Sequence, residues 1–243
     1  MTSIDLSQHE YRFFSQNGED GILIKLIQLL YENYHDHIYV EFGVEDGKQC
    51  NTRVLHDFYN WTGLQMDGSY TKDNDGCYGI KFEFITRENI VSLFDKYKVP
   101  QHINVLSIDI DFNDFYVLKE IVNHAYTMDI IVCEYNATHL PHEDKVVTYQ
   151  SNMQWDYTNY FGASLLAFYN LLSPHGYTLV YCESRGVNCF FVRTELLSSR
   201  HLTLKDMNDV TTLYKSPKYG QGPNGGHRED VFNRVYLTSF DCY

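Results

Sequence analysis

The sequence predicts an α/β protein: a doubly wound, mostly parallel sheet that closes on an antiparallel hairpin and carries a short irregular C-terminal lobe. Two observations carry this reading. Short apolar runs alternate with segments of helical periodicity between residues 20 and 135. The last two apolar runs, GYTLVYC and CFFVRT, are joined only by ESRGVN, and so short a Gly- and Asn-containing link forces one strand to run against its neighbour.

Residues 20–33, DGILIKLIQLLYEN, place Ile22, Ile24, Leu26, Ile27, Leu29 and Leu30 at helical spacing. Glu19 and Asp20 at their start suit a helix N-terminus. IYVEF then reads as a strand, residues 51–59 as a helix, TGLQMD as a second strand and YGIKFEF as a third. RENIVSLFDKY is helical, INVLSIDI is a fourth strand, and 113–124 is a helix turning Phe115, Leu118, Ile121 and Val122 inward. TMDIIVCEY is apolar enough for a fifth strand buried on both faces. Residues 195–243 are less regular, with the Gly/Pro-rich loop SPKYGQGPNGGH between two short helical candidates. They read as an appended lobe or lid on a main domain spanning 1–194.

Composition narrows the function. The chain has 243 residues, 19 basic against 32 acidic, for a formal net charge of −13. No basic cluster exists to neutralise phosphates, so nucleic acid and anionic membrane surfaces are excluded as main partners. No apolar run reaches the length of a membrane span. The opening MTSIDLSQHEYRFF lacks the pattern of a signal peptide, which leads to the expectation of a cytoplasmic protein. Six scattered cysteines without CxxC spacing argue against zinc and suit reduced core thiols.

The loop after the first strand, YVEFGVEDGKQCNT, holds the chemical signal. Ligands of doubly wound sheets bind at the carboxyl ends of the strands, and Gly43 and Gly47 would let a backbone approach one closely. Glu41, Glu45 and Asp46 would repel a phosphate, and neither G-x-G-x-x-G nor G-K-[ST] is present. A nucleoside without phosphates and with positive charge fits instead. S-adenosylmethionine carries a sulfonium and an ammonium against one carboxylate. Asp67, in LQMDGS at the end of the second strand, stands where an acid takes ribose hydroxyls.

The ordered set SQNGEDGIL, YVEFGVEDG, LQMDGS, FITRENI, LSIDIDFND, VCEYNA, FGASL and NCFFVR resembles FkbM-like class I methyltransferases, specifically the subset with SQNGEDG at the N-terminus. The likeness covers about residues 12–194. It implies a Rossmann-like, seven-stranded sheet and methyl transfer from S-adenosylmethionine to a hydroxyl of a sugar, glycan, nucleotide-sugar or secondary metabolite. It further implies that Glu41, Gly43 and Gly47, with Asn51, line the methionine end and that Asp67 and Gly68 meet the ribose. Phe84 and Ile85 would then flank adenine, and Asp109 would lie near the methionine amine or the acceptor. Gln16, with Asp20, is drawn toward closing the cofactor pocket. Relatives commonly carry glycine where this chain has Phe112, a bulk that would narrow an acceptor cleft.

A hydroxyl acceptor needs a base, and Asp109, Asp111, Glu134 and His139 cluster at the ends of the fourth and fifth strands. His139 is the preferred base because its ordinary pKa is nearest neutrality. The acids alternatively suit Mg²⁺, as in macrocin-type O-methyltransferases. That alternative needs Asp111 to lie beyond the strand, since alternate strand residues face opposite ways, and the metal-free route is preferred here. The aromatic-rich stretch 148–162 suits stacking on a sugar. Three other readings stay open: a catalytically degenerate scaffold, an N-methyltransferase of an amino sugar, and an NAD-dependent sugar oxidoreductase. The partner is expected to be a small-molecule or glycan acceptor, and a homo-oligomer is compatible with the sequence.

Overall fold

The computed structural model describes residues 3–69 and 79–242. Seven strands form one sheet: β1 (Ile38–Phe42), β2 (Thr62–Asp67), β3 (Lys81–Phe82), β4 (His102–Ile108), β5 (Thr127–Glu134), β7 (Tyr177–Cys182) and β8 (Asn188–Arg193). Their order is β3-β2-β1-β4-β5-β8-β7. All neighbours run parallel except β8, which is antiparallel to both β5 and β7. This is the Rossmann-like, doubly wound sheet with a terminal hairpin that the pattern predicts. The winding reverses between β1 and β4, where a ligand crevice opens.

Residues of one strand alternate between two cores. Val40 and Phe42 join Leu106, Ile108, Ile131 and Cys133 on one face, packed against α3 (Ile90–Lys96), α4 (Asp114–Asn123) and α5 (Leu165–Leu172). Tyr39, Val105, Ile130 and Val132 join the other face with α1 (Glu19–Leu30) and α2 (Arg53–Tyr59). Burial on both faces explains why these strands read as near-continuous apolar runs.

Three elements differ from expectation. The third strand shrinks to Lys81–Phe82, while Tyr78, like Cys77, lies outside the described residues. The crossover helix α5 was not foreseen, because LLAFYNLL is a short, almost wholly apolar run that periodicity alone does not separate from a buried strand. Five of its eight residues are buried, and Ser164 caps it by accepting from the Ala167 N–H at 3.2 Å. Beyond the Gly/Pro-rich loop the chain forms not a helix but β9 (Tyr236–Leu237), antiparallel to β6 (Val146–Val147).

The terminal segment packs on the same sheet: Leu213 and Cys242 enter one core, Leu197 and Leu204 the other. Cys50, Cys133, Cys182, Cys189 and Cys242 are buried free thiols. No helix among the described residues is long and apolar enough to cross a membrane.

Candidate functional site

A cavity of about 670 Å³ opens at the carboxyl ends of β1, β2, β4 and β5. Gln16, Glu41, Gly43, Asn51, Asp67 and Gly68 line it, as do Phe84, Ile85, Asp109, Asp111 and Glu134. Two of the candidate residues do not. Gly47 serves a turn, with φ +77° and its N–H donating to the Val44 carbonyl at 2.8 Å. His139 is 5% exposed and packs edge-on against Tyr236, with its Nε2 unpartnered.

Burial pulls the His139 imidazole down to about 4 from an ordinary 6.5, with the Lys145 ammonium adding to the effect. Between those values the folded chain binds fewer protons than the unfolded one. Stability is therefore complete above about pH 6.5 and is lost as the pH falls toward 4, by about 3 kcal/mol at most. His139→Leu should remove that part of the acid sensitivity, read as urea midpoints at pH 7.5 and 4.5. An equally steep acid loss in the variant would contradict this assignment.

The acidic loop divides its carboxylates. Glu41 is buried and accepts from the backbone N–H groups of Asn51 (2.7 Å) and Thr52 (3.1 Å) and from the Thr52 hydroxyl, so it satisfies donors at the start of α2. Asp46 faces away, paired with Lys48 on the surface. Only Glu45 of the loop tip reaches the cavity. Its N–H donates to Asp67 Oδ2 at 2.7 Å, while Ser69 donates its N–H and hydroxyl to Asp67 Oδ1 at 2.7 and 2.6 Å. The strand-end acid is thereby fixed in orientation. Gly43 is a packing glycine rather than a ligand-approach glycine, since its φ is +75° and a Cβ would stand 1.4 Å from the Asp109 carbonyl oxygen. At Gly68 a Cβ would press the Phe84 ring at 2.9 Å.

SQNGEDG is mostly a clasp. Asp20 is fully buried, accepts from the N–H groups of Phe13, Phe14 and Ser15, and does not line the cavity. Glu19 accepts from the Asn17 N–H at 2.8 Å and from Asn188 Nδ2 at 2.9 Å. Gln16 alone of the motif's polar side chains lines the cavity.

β4 ends at Ile108, and Asp111 takes a left-handed φ of +69°. That reversal brings its carboxylate to the same side as Asp109, and one oxygen each from Asp109, Asp111 and Glu134 lie within 4.8 Å of one another. Burial, then the neighbouring Asp111 and Asp114, hold the Asp109 carboxyl well above its usual range. Burial and Asp109 do the same to Glu134. Phe112 does not narrow the cavity: it is 2% exposed and turns into a separate cluster with Val147 and Tyr160.

The opposite wall was legible only in part. Met153, Gln154, Trp155 and Tyr157 come from the aromatic stretch 148–162, whereas Tyr219 and His227 come from the Gly/Pro-rich loop. Trp155 stacks edge-on with His227 at 4.4 Å, and its indole N–H donates to the Thr158 carbonyl at 2.7 Å. The sequence signals for this wall were the aromatic stretch 148–162, read as a stacking surface, and the glycine content of 220–226, which lets the loop fold back tightly. Across the whole cavity seven carboxylate residues and no lysine or arginine stand among the described lining residues.

No family model matches the chain, and no curated protein does. Distant likenesses exist among solved structures. A protein assigned as an S-adenosylmethionine-dependent methyltransferase from Listeria monocytogenes is 10% identical, with 70% of this chain and 96% of that chain covered, at a TM-score of 0.41. A human methyltransferase 10 domain containing protein is 12% identical over 72% of this chain and 81% of that chain, at 0.39. At these values neither carries weight for the function, which has to be read from the cavity.

Proposed function

We propose that this chain is an S-adenosylmethionine-dependent methyltransferase of FkbM-like type that O-methylates a sugar or glycan hydroxyl. One observation carries the reading: a cavity at the switch point of a Rossmann-like sheet, lined by seven carboxylate residues and no lysine or arginine among those described. Such a wall repels the pyrophosphate of a dinucleotide and favours a nucleoside bearing sulfonium and ammonium. The motif set quoted above supports the family assignment.

The fit is residue by residue. Asp67, fixed by Glu45 and Ser69, lines the cavity at the end of β2, where an acid takes ribose hydroxyls. Phe84 and the buried Ile85 offer an apolar slot for adenine. Glu45 supplies negative charge for the cationic end, and Asp109 lines the same cavity. When bound, S-adenosylmethionine supplies an electrophilic methyl group. The Trp155, Tyr219 and His227 wall suits the face of a sugar ring. His227 takes the role of base in place of His139, because it lines the cavity and burial lowers its pKa, leaving the imidazole neutral at pH 7.

The absence of lysine and arginine among the described lining residues favours a neutral glycan over a nucleotide-sugar. An amino sugar, methylated on nitrogen, is the second reading, since an acidic wall also attracts an ammonium. Neither reading calls for nucleic acid or membrane lipid as a partner.

Calorimetry should show binding of S-adenosylmethionine and S-adenosylhomocysteine and none of NADH. No heat from well-folded protein would end this reading. Asp67→Ala should weaken cofactor binding by about 1–3 kcal/mol, the cost of orphaning hydrogen-bonded partners of a charged group. Radiolabelled methyl uptake into neutral glycans, compared with amino sugars, decides between the two acceptors.

A further inference from the structure

We propose that Asp109, Asp111 and Glu134 hold a hard divalent cation, of the Mg²⁺, Mn²⁺ or Ca²⁺ class, which orients a hydroxyl of the acceptor. Its chemical role rests on the methyltransferase reading; the site itself does not. The three carboxylates each offer an oxygen within 4.8 Å of the other two. Oxygens on opposite sides of such an ion stand about 4–5 Å apart. Ligands that are all carboxylates, with no imidazole or thiolate among them, suit these ions rather than zinc.

A second observation points to the same ligand. Asn188 is directly opposite Glu134 in the β5–β8 ladder and is 3% exposed. Its Nδ2 is committed to Glu19 at 2.9 Å, while its Oδ1 is buried without a hydrogen-bond partner on a residue lining the cavity. Asn113 repeats the arrangement: Nδ2 donates to the Gln150 carbonyl at 2.9 Å and Oδ1 is orphaned. An acceptor oxygen left buried is costly, and a cation or its bound water relieves it. The lining offers no lysine or arginine to do so among the described residues.

In the reaction the cation draws electron density from the acceptor oxygen. The hydroxyl proton passes to His227. The oxygen lone pair forms the bond to the methyl carbon as the carbon–sulfur bond breaks, and that electron pair returns to sulfur, leaving a neutral thioether and a protonated imidazole.

The test is titration of Mn²⁺ into EDTA-dialysed full-length protein, with bound ion counted by electron paramagnetic resonance and no cofactor present. One Mn²⁺ per chain is expected, displaced by Mg²⁺ or Ca²⁺. Asp111→Asn should weaken it by about tenfold or more. Asparagine tolerates the left-handed conformation at 111, so this variant keeps the fold, and circular dichroism verifies that. No stoichiometric Mn²⁺, or equal binding by wild type, Asp111→Asn and Glu134→Gln, would overturn the site. S-adenosylmethionine binding in EDTA is measured separately. Cofactor binding without Mn²⁺ binding removes the cation alone, whereas Mn²⁺ binding without cofactor binding keeps the cation and removes the methyltransferase reading.

Discussion

His227→Ala should lower turnover by about 10²–10⁴-fold while leaving S-adenosylmethionine affinity near that of the wild type. A base acts on the acceptor proton in the transition state, so its loss appears in kcat more than in cofactor binding. The imidazole lines the cavity between Trp155 and Tyr219, at ring separations of 4.4 and 4.8 Å, which hold its plane. Burial lowers its pKa, so the acid limb of the rate profile should fall below pH 6.5, where the ring gains a proton and can no longer accept one. His139→Leu is the matched control, because that ring stands outside the cavity and should leave turnover at neutral pH of wild-type order. A large kcat loss at 139 and none at 227 would reverse the assignment of the base.

Gly43→Ala should destabilise the fold by more than about 4 kcal/mol, read as loss of soluble protein or as a collapsed urea midpoint. Two penalties add. A left-handed φ of +75° costs an L-residue about 1–2 kcal/mol, and the new Cβ would overlap the Asp109 backbone carbonyl, 1.4 Å away. That carbonyl follows β4 directly, so relief means parting two adjacent strand ends at the floor of the cavity. Gly176→Ala separates the two effects. Its φ is +84°, but a Cβ there meets nothing within 4 Å, so it should cost only about 1–2 kcal/mol. Equal losses at both positions would show that backbone conformation alone matters at Gly43.

The alternation of apolar strands with helical segments was enough to predict the sheet, because burial on two faces demands those runs whatever their partners. The same pattern pointed to the strand ends where the cavity opens, since ligands of doubly wound sheets meet strand ends, and Glu41, Asp67, Asp109 and Glu134 stand at or next to them. What each residue does there was decided by tertiary structure. Glu41 reads as a ligand-facing acid but spends its oxygens on the start of α2. Gly43 answers to the Asp109 carbonyl, and Gly47 to a turn. Asp111 joins Asp109 only because one left-handed φ reverses the chain after β4, and strand periodicity carries no trace of that reversal. That His227 rather than His139 lines the cavity depends on the fold most of all. The loop holding His227 lies far along the chain from Asp109 and Glu134, and which of two loop histidines reaches the cavity depends on how that loop packs against Trp155 and Phe161. Local sequence encodes which residues are buried and where strands stop. A cavity wall is an encounter between segments distant in the chain, and its energy resides in contacts that no short window contains.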